Sequence, residues 1–179
     1  LLATSVINLR EGLQKEAMDG LALLGKAVCS SYEDMKGDFV QNGNTLKKGD
    51  TELTINPATL DVYVKDSEND VALSLCYGKR RMLTTLTDNK GVRLTGTDIS
   101  DEVWDVVKTG KTYRDTSLKI DGKRYCAVYV PLRDNGQVVG CVFAGQPKSY
   151  ITNYIMQKVG TMLIVSAVVL MLVGIVATF

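Results

Sequence analysis

Apolar residues at Leu2, Val6, Leu9, Leu13, Ala17, Leu21, Leu24 and Val28 recur in steps of three and four. That is the spacing of one helix face, and it predicts a single long amphipathic helix over Leu2–Tyr32. At the helical rise, roughly thirty residues extend about 45 Å, more than a compact domain needs. The helix therefore either lines a helical dimer interface or continues upstream into another membrane span, whose last turn Leu1-Leu2-Ala3 would fit. Asp38–Pro57 breaks the pattern. Its Asn, Gly, Asp and Thr residues read as a loop with one helical turn, closed by Lys47-Lys48-Gly49 and by Pro57. Short runs at Leu60–Lys65, Val71–Tyr77, Arg81–Thr87 and Gly91–Thr95 read as strands, with Asp66-Ser67-Glu68-Asn69 as a polar turn after the first.

Helical spacing returns in Asp98–Thr109, where Ile99, Val103, Val106 and Val107 fall on one side. Ser100 is placed to cap the helix, Asp101 and Glu102 supply acids to its first turn, and Gly110 closes it. Trp104, the only tryptophan, is expected to pack as a lid rather than as a core anchor. A hairpin pattern follows: Thr112–Ile120, the turn Asp121-Gly122, Arg124–Pro131, the turn Asp134-Asn135-Gly136, and Gln137–Gly145. The last of these is almost continuously apolar and is expected to be central in its sheet. Pro147 interrupts, and a helix restarts at Ser149. The sum is an α+β fold: a long N-terminal helix packed on an antiparallel sheet of about five strands, followed by a C-terminal transmembrane helix. The expected division is a signalling helix over 1–36, a ligand-binding domain over 37–148 and a juxtamembrane and transmembrane helix over 149–179.

Val159–Phe179 carries the membrane assignment. It contains no charged residue, and its length matches the hydrocarbon thickness of a bilayer, about 20 residues of helix. Lys158 can snorkel to the interface, where Tyr150 and Tyr154 fit as interfacial aromatics. A chain that opens without methionine and stops where this run stops is expected to be a piece cut from a larger protein. With both helices leading to one side, the domain between them would sit outside the membrane.

Composition removes several classes of function. The chain has 21 basic and 20 acidic residues, so it offers no basic field for nucleic acid. It has no histidine, which removes the commonest general base and zinc ligand together, and neither a metal site nor catalysis is expected. Cys29, Cys76, Cys126 and Cys141 form no Cys-x-x-Cys pair. Most of them lie in apolar strand-like runs as small hydrophobes, with a disulfide left open.

Candidate chemistry concentrates in Val71–Thr97, where Arg80, Arg81 and Arg93 stand among turn glycines. Guanidinium groups recognise carboxylates or phosphates through paired donors, although arginines at turns are more often solvated surface. Ser74, Gly78, Arg81 and Thr84, then Gly91, Arg93, Gly96 and Thr97, then Gly122, Tyr125, Tyr129 and Pro131, and finally Gly136 and Gly140, fall in one ordered pattern. In that pattern the soluble part resembles a single-Cache domain, the PAS-like extracytoplasmic sensor of bacterial chemoreceptors and sensor kinases. Ser74 and Cys76 stand where the family pattern has Thr and Phe, and Lys79 stands where it has Asp.

The resemblance implies a small molecule, a short carboxylate or other small anion, held on the concave face of the sheet without a cofactor. The matching positions are Ser74, Arg81, Thr84, Arg93, Thr97, Tyr125 and Tyr129. It also implies a homodimer through the N-terminal helix, a place in the cell membrane with the sensor outside, and signalling through the membrane helix. The output would be that of a chemoreceptor, or alternatively of a histidine kinase or diguanylate cyclase; a ligand-free, membrane-anchored dimerisation domain is a further reading. Residue geometry adds conditions. Arg81 and Thr84, three apart, point to opposite faces of a regular strand unless a bulge intervenes, whereas Tyr125 and Tyr129 share a face. Arg93 fits either a ligand contact or an ion pair with Asp88 or Asp98, and Tyr129 fits either the pocket or the core.

Overall fold

A computed structural model of the chain describes residues 2–65 and 70–178, so the turn expected at Asp66–Asn69 lies outside the described residues. Helix α1 spans Leu2–Glu33. Its apolar stripe does what the spacing requires: Met18, Leu21, Ala22, Val28, Cys29 and Tyr32 are buried, and Val6, Leu9, Leu13, Ala17 and Leu24 pack partly buried against the same core. Midway along this stripe Gly25 lets the helix lie close on the sheet. A Cβ there would stand 2.8 Å from Val130 Cγ2.

The segment expected as a loop is instead a small antiparallel sheet of β1 (Phe39–Asn42), β2 (Thr45–Lys48) and β3 (Thr51–Glu52). Its polar composition hides two anchors. Phe39 and Leu46 enter the main core. Lys48 Nζ reaches Asp134 Oδ1 at 2.7 Å, while the Phe39 N–H donates to Asp134 Oδ2 at 2.8 Å. Two 3-10 turns follow, Leu53–Ile55 and Thr59–Tyr63. The second replaces the strand expected at Leu60–Lys65. Its alternation of apolar and polar residues comes from a turn that buries Leu60 and leaves Val62 outside, and the Asp61 carbonyl accepts from both Val64 and Lys65.

The main sheet contains β4 (Ala72–Tyr77), β5 (Arg80–Thr84), β6 (Tyr113–Ile120), β7 (Lys123–Asp134) and β8 (Gln137–Pro147), in the order β5-β4-β8-β7-β6. Every neighbouring pair is antiparallel. The apolar β8 is the central strand, as its composition requires. Gly91–Thr95 forms no strand; it is a loop held by a single bridge, Thr87 to Arg93. Helix α2 (Asp101–Val107) is capped by Ser100, whose Oγ accepts from the Val103 N–H.

Each face of the sheet carries its own core. On one face Leu73, Leu75, Met82, Leu83, Val128, Val130, Leu132 and Val142 share a core with α1, the small sheet and the 3-10 turns, α1 lying on β7 and β8. On the other, Cys76, Ala127, Tyr129, Cys141 and Phe143 meet Ile99, Val103 and Val107, with Trp104 partly buried against them. All four cysteines are free thiols. Burial raises the Cys29 thiol to about 12.

Pro147 ends β8, and α3 (Lys148–Thr178) begins at the next residue. Ile151, Ile155 and Val159 pack into the core beside α1. Beyond them Leu163, Ile164, Leu170 and Leu172 are exposed. This helix is long and apolar enough to cross a membrane.

Candidate functional site

The site is built on an irregularity in β5. Against β4, Thr84 faces Ser74 and Leu83 faces Leu75, but Arg81 faces Cys76, so one residue is left over in β5. The bulge sends both Met82 and Leu83 into the core that α1 shares with the small sheet. Arg81 and Thr84 are thereby brought to the same, opposite face, as one extra residue between paired positions requires.

The chain after β5 loops out and returns along the strand. The Arg81 N–H donates to the Thr97 carbonyl, and the Gly96 N–H donates to the Arg81 carbonyl, both at 2.8 Å. Gly96 makes this return at φ +80°, a conformation that a side chain would strain. The Ile99 N–H then donates to the Lys79 carbonyl at 2.9 Å and starts the approach to α2.

Between this returning segment, α2 and the β6–β7 hairpin lies a cavity of about 380 Å³. Arg81, Thr97 and Tyr129 line it together with Ser100 and Val103, Leu118 and Ile120 close the hairpin side, and Asp98, Lys119 and Asp121 also stand on its wall. Its volume is at the small end of the range for ligand pockets, about 300–1,000 Å³.

Arg81 dominates the chemistry. Its side chain is almost wholly buried, with 4% of the residue exposed. Nη1 donates to Thr97 Oγ1 at 3.0 Å and to the Asp98 carbonyl at 3.2 Å, and Nη2 donates to the Tyr129 hydroxyl at 3.5 Å. Nε has no partner. No carboxylate among the described residues lies within 4.0 Å of the guanidinium. A buried cation served only by neutral groups is costly, and an anion is the partner that would compensate it.

Tyr129 forms the floor. Its ring lies 5.1 Å from that of Phe143 and 6.3 Å from that of Tyr113. Burial pushes its phenol well above the usual tyrosine range, with the charge of Arg81 pulling the other way. Behind the floor, Cys76 faces Cys141 across β4 and β8. Contact with Cys76, and then burial, raise the Cys141 thiol, which therefore stays protonated and packs as an apolar side chain.

The remaining sequence candidates lie elsewhere. Ser74 Oγ and Thr84 Oγ1 are 2.7 Å apart and fully buried, and Thr84 Oγ1 also accepts from the Leu86 N–H. These hydroxyls satisfy one another beneath the loop and do not line the cavity. Tyr125 packs edge-on against Phe143 outside the cavity wall. Arg93 is committed to Asp61, with Nη1 to Oδ1 at 3.0 Å and Nη2 to Oδ2 at 2.6 Å, and Nη1 donates further to the Thr84 carbonyl. The ion pair anticipated for Arg93 therefore exists with a different acid. Asp88 instead accepts from the Lys90 and Val92 amides of its own turn.

Arg80 is half-buried rather than surface, and its Nη2 donates to Asn44 Oδ1. Sequence reading missed Ser100, Val103, Leu118 and Ile120 as lining residues. Each carried only the signal of its own element, a cap, a helix face or a strand, and none of an adjoining cavity.

A family model described as "Single cache domain 3" matches residues 51–158, more than half of the chain. No curated protein matches it.

Proposed function

Because the chain belongs to the single Cache domain 3 family, a family of extracellular small-molecule sensing modules, we propose that it is the ligand-sensing part of a bacterial transmembrane chemoreceptor. The ligand is a short carboxylate held by Arg81, with Thr97 and Tyr129 fixing the guanidinium. The observation that carries this reading is the buried Arg81 side chain, without an acidic partner, at the wall of a cavity of about 380 Å³. A carboxylate there would accept paired, charge-assisted hydrogen bonds and compensate the buried charge.

In this reading α3 spans the bilayer and α1 pairs with α1 of a second copy. Two features favour that arrangement. The apolar surface of α3 beyond Val159 is uncovered, and Ile7 and Leu23 stand exposed on α1. Ligand binding would shift the packing of α1 against α3, by as much as the two packings differ in affinity for the ligand.

The test is a thermal-shift screen of the full chain in detergent against short carboxylates, amino acids and purines. A true ligand at about a hundred times its dissociation constant adds about 2.7 kcal/mol. The shift should appear with a carboxylate and vanish in Arg81→Gln. A shift that survives in Arg81→Gln, with that variant folded, would remove Arg81 from the site.

A further inference from the structure

A second cavity, of about 290 Å³, lies where α1, the β6–β7 hairpin and the first turns of α3 converge. Arg10 and Gln14 enter it from α1, Thr116 from β6, and Lys148 and Thr152 from α3, with Met156 on the side toward the apolar end of α3. No acidic residue lines it. Among the described residues neither Arg10 nor Lys148 is ion-paired, whereas Lys15, Lys48, Lys79, Arg93, Lys108 and Arg114 all are. Asp115, the acid nearby on β6, turns to its own backbone and accepts from the Ser117 N–H at 2.7 Å. Two cations thus face one space together with hydroxyl and amide groups over an apolar wall of Cys126, Ile151 and Ile155, and among the described residues no ion pair neutralises them.

The height of this cavity identifies its ligand. The uncharged stretch of α3 begins at Val159. Along a helix, Met156 stands about 4–5 Å above that point and Lys148 about 16 Å above it. In a membrane-spanning α3 the Met156 end of the cavity lies in the layer of the lipid headgroups, which adds some 5–8 Å to each side of the hydrocarbon core, and the backbone of Lys148 stands roughly 8–11 Å outside that layer, on the water side.

We propose that this cavity binds the phosphate of a lipid headgroup, between the Arg10 guanidinium and the Lys148 ammonium, with Thr116, Thr152 and Gln14 as further donors. An anionic phospholipid is favoured over a zwitterionic one, because no acidic residue lines the cavity to receive a headgroup cation. The bound lipid would join α1 to α3 at the level where the sensor meets the membrane. This inference rests on the spanning reading of α3 and is independent of the ligand assigned to Arg81.

The full chain reconstituted in nanodiscs of phosphatidylcholine and phosphatidylglycerol tests it. After extraction into mild detergent, native mass spectrometry counts the lipids retained. The expected result is retained phosphatidylglycerol, lowered about twenty-five-fold in the double variant Arg10→Gln, Lys148→Gln, since each basic group near an anionic surface contributes on the order of a factor of five. Retention should persist in Lys158→Gln, which removes a charge beside the membrane but outside the cavity, and in the charge-keeping pair Arg10→Lys, Lys148→Arg. Equal loss in Lys158→Gln would overturn the site in favour of a diffuse field. Inorganic phosphate that displaces the lipid would overturn the lipid as its source. A chain that enters the discs and retains no lipid sinks this inference alone, while a chain that never enters them removes the spanning reading with it.

Discussion

Arg81 and Tyr129, 48 residues apart in the chain, meet inside the sheet's second core with Nη2 and the phenol oxygen 3.5 Å apart. Among the described residues no acid pairs with the guanidinium, so the contact holds a cation in place without neutralising it. The empty protein carries that cost, which leads to an unusual expectation for a buried arginine. Arg81→Met should leave the apo protein as stable as the wild type or more stable, by about 1 kcal/mol, because replacing uncompensated buried charge with apolar volume is often stabilising. The same variant should lose all carboxylate-induced stabilisation. Chemical denaturation with and without the carboxylate reads both effects, and a strongly destabilised apo variant would contradict the argument.

Arg93 offers the contrasting case. Its pair with Asp61 is partly exposed, with side chains 28% and 39% accessible. Arg93→Ala should cost about 1 kcal/mol, the scale of a partly screened ion pair with an added backbone contact. It should leave carboxylate affinity unchanged, because Arg93 does not line the cavity. Calorimetric titration of this variant separates the two arginines; a loss of affinity comparable to that of Arg81→Gln would restore Arg93 to the site.

Two glycines of α1 should respond to alanine with opposite sign. At Gly12 nothing lies within 4 Å of an added Cβ. Gly12→Ala should stabilise the helix by about 0.5–1 kcal/mol. At Gly25 the same change drives a methyl group into Val130, and overpacking of about 1–3 kcal/mol should outweigh the gain in propensity. Urea midpoints of the two variants decide the matter.

Alkaline pH should destabilise the fold above about pH 10, where an unfolded tyrosine ionises. Burial holds the phenol of Tyr32 up to about 12 and raises those of Tyr125 and Tyr129. The unfolded chain therefore loses these protons first, and stability is lost as pH rises from about 10 toward the folded-state values. Tyr129→Phe should flatten the decline of unfolding free energy between pH 9 and pH 11, by up to about 1.4 kcal/mol per pH unit. An unchanged slope would show that this phenol ionises in the fold.

Asp134 ties the small sheet to β7. Lys48 beside it is only 3% exposed, so Asp134→Ala would strand a buried ammonium and should cost about 3 kcal/mol. Lys48→Met should cost less: it loses the Nζ contact 4.2 Å from the Phe39 ring centroid but strands no buried ion. If the two variants melt together, the pair contributes packing and little else.

What the sequence made legible follows the range of the forces involved. The steps of three and four from Leu2 to Val28 and the continuous apolar run of β8 report burial against neighbours on a regular element, and both assignments correspond to the structure. The small sheet was not legible. Asp38–Pro57 is polar, and its pairing depends on Asp134, far along the chain, accepting from Phe39 and Lys48. Leu60–Lys65 imitated a strand because Leu60, Val62 and Val64 fall at every second position, yet a 3-10 turn with three residues per turn buries Leu60 and leaves Val62 outside. At the site, periodicity alone set Arg81 and Thr84 on opposite faces. Only the pairing with β4 exposes the extra residue that reunites them, and strand register is a relation between two segments that one segment cannot display. Arg93 finds Asp61 by the same kind of non-local closure.

The passage from β8 to α3 has no loop: Pro147 is the last residue of one and Lys148 the first of the other. Phe143, against which Tyr129 stacks, is thus on the same continuous rod as the apolar helix. A joint without slack has little compliance. Movement of the central strand along its own axis, by a fraction of a residue's rise, would reach the far end of α3 as a displacement of similar size rather than being absorbed on the way. The part free to yield would then be the contact between α1 and this strand–helix unit.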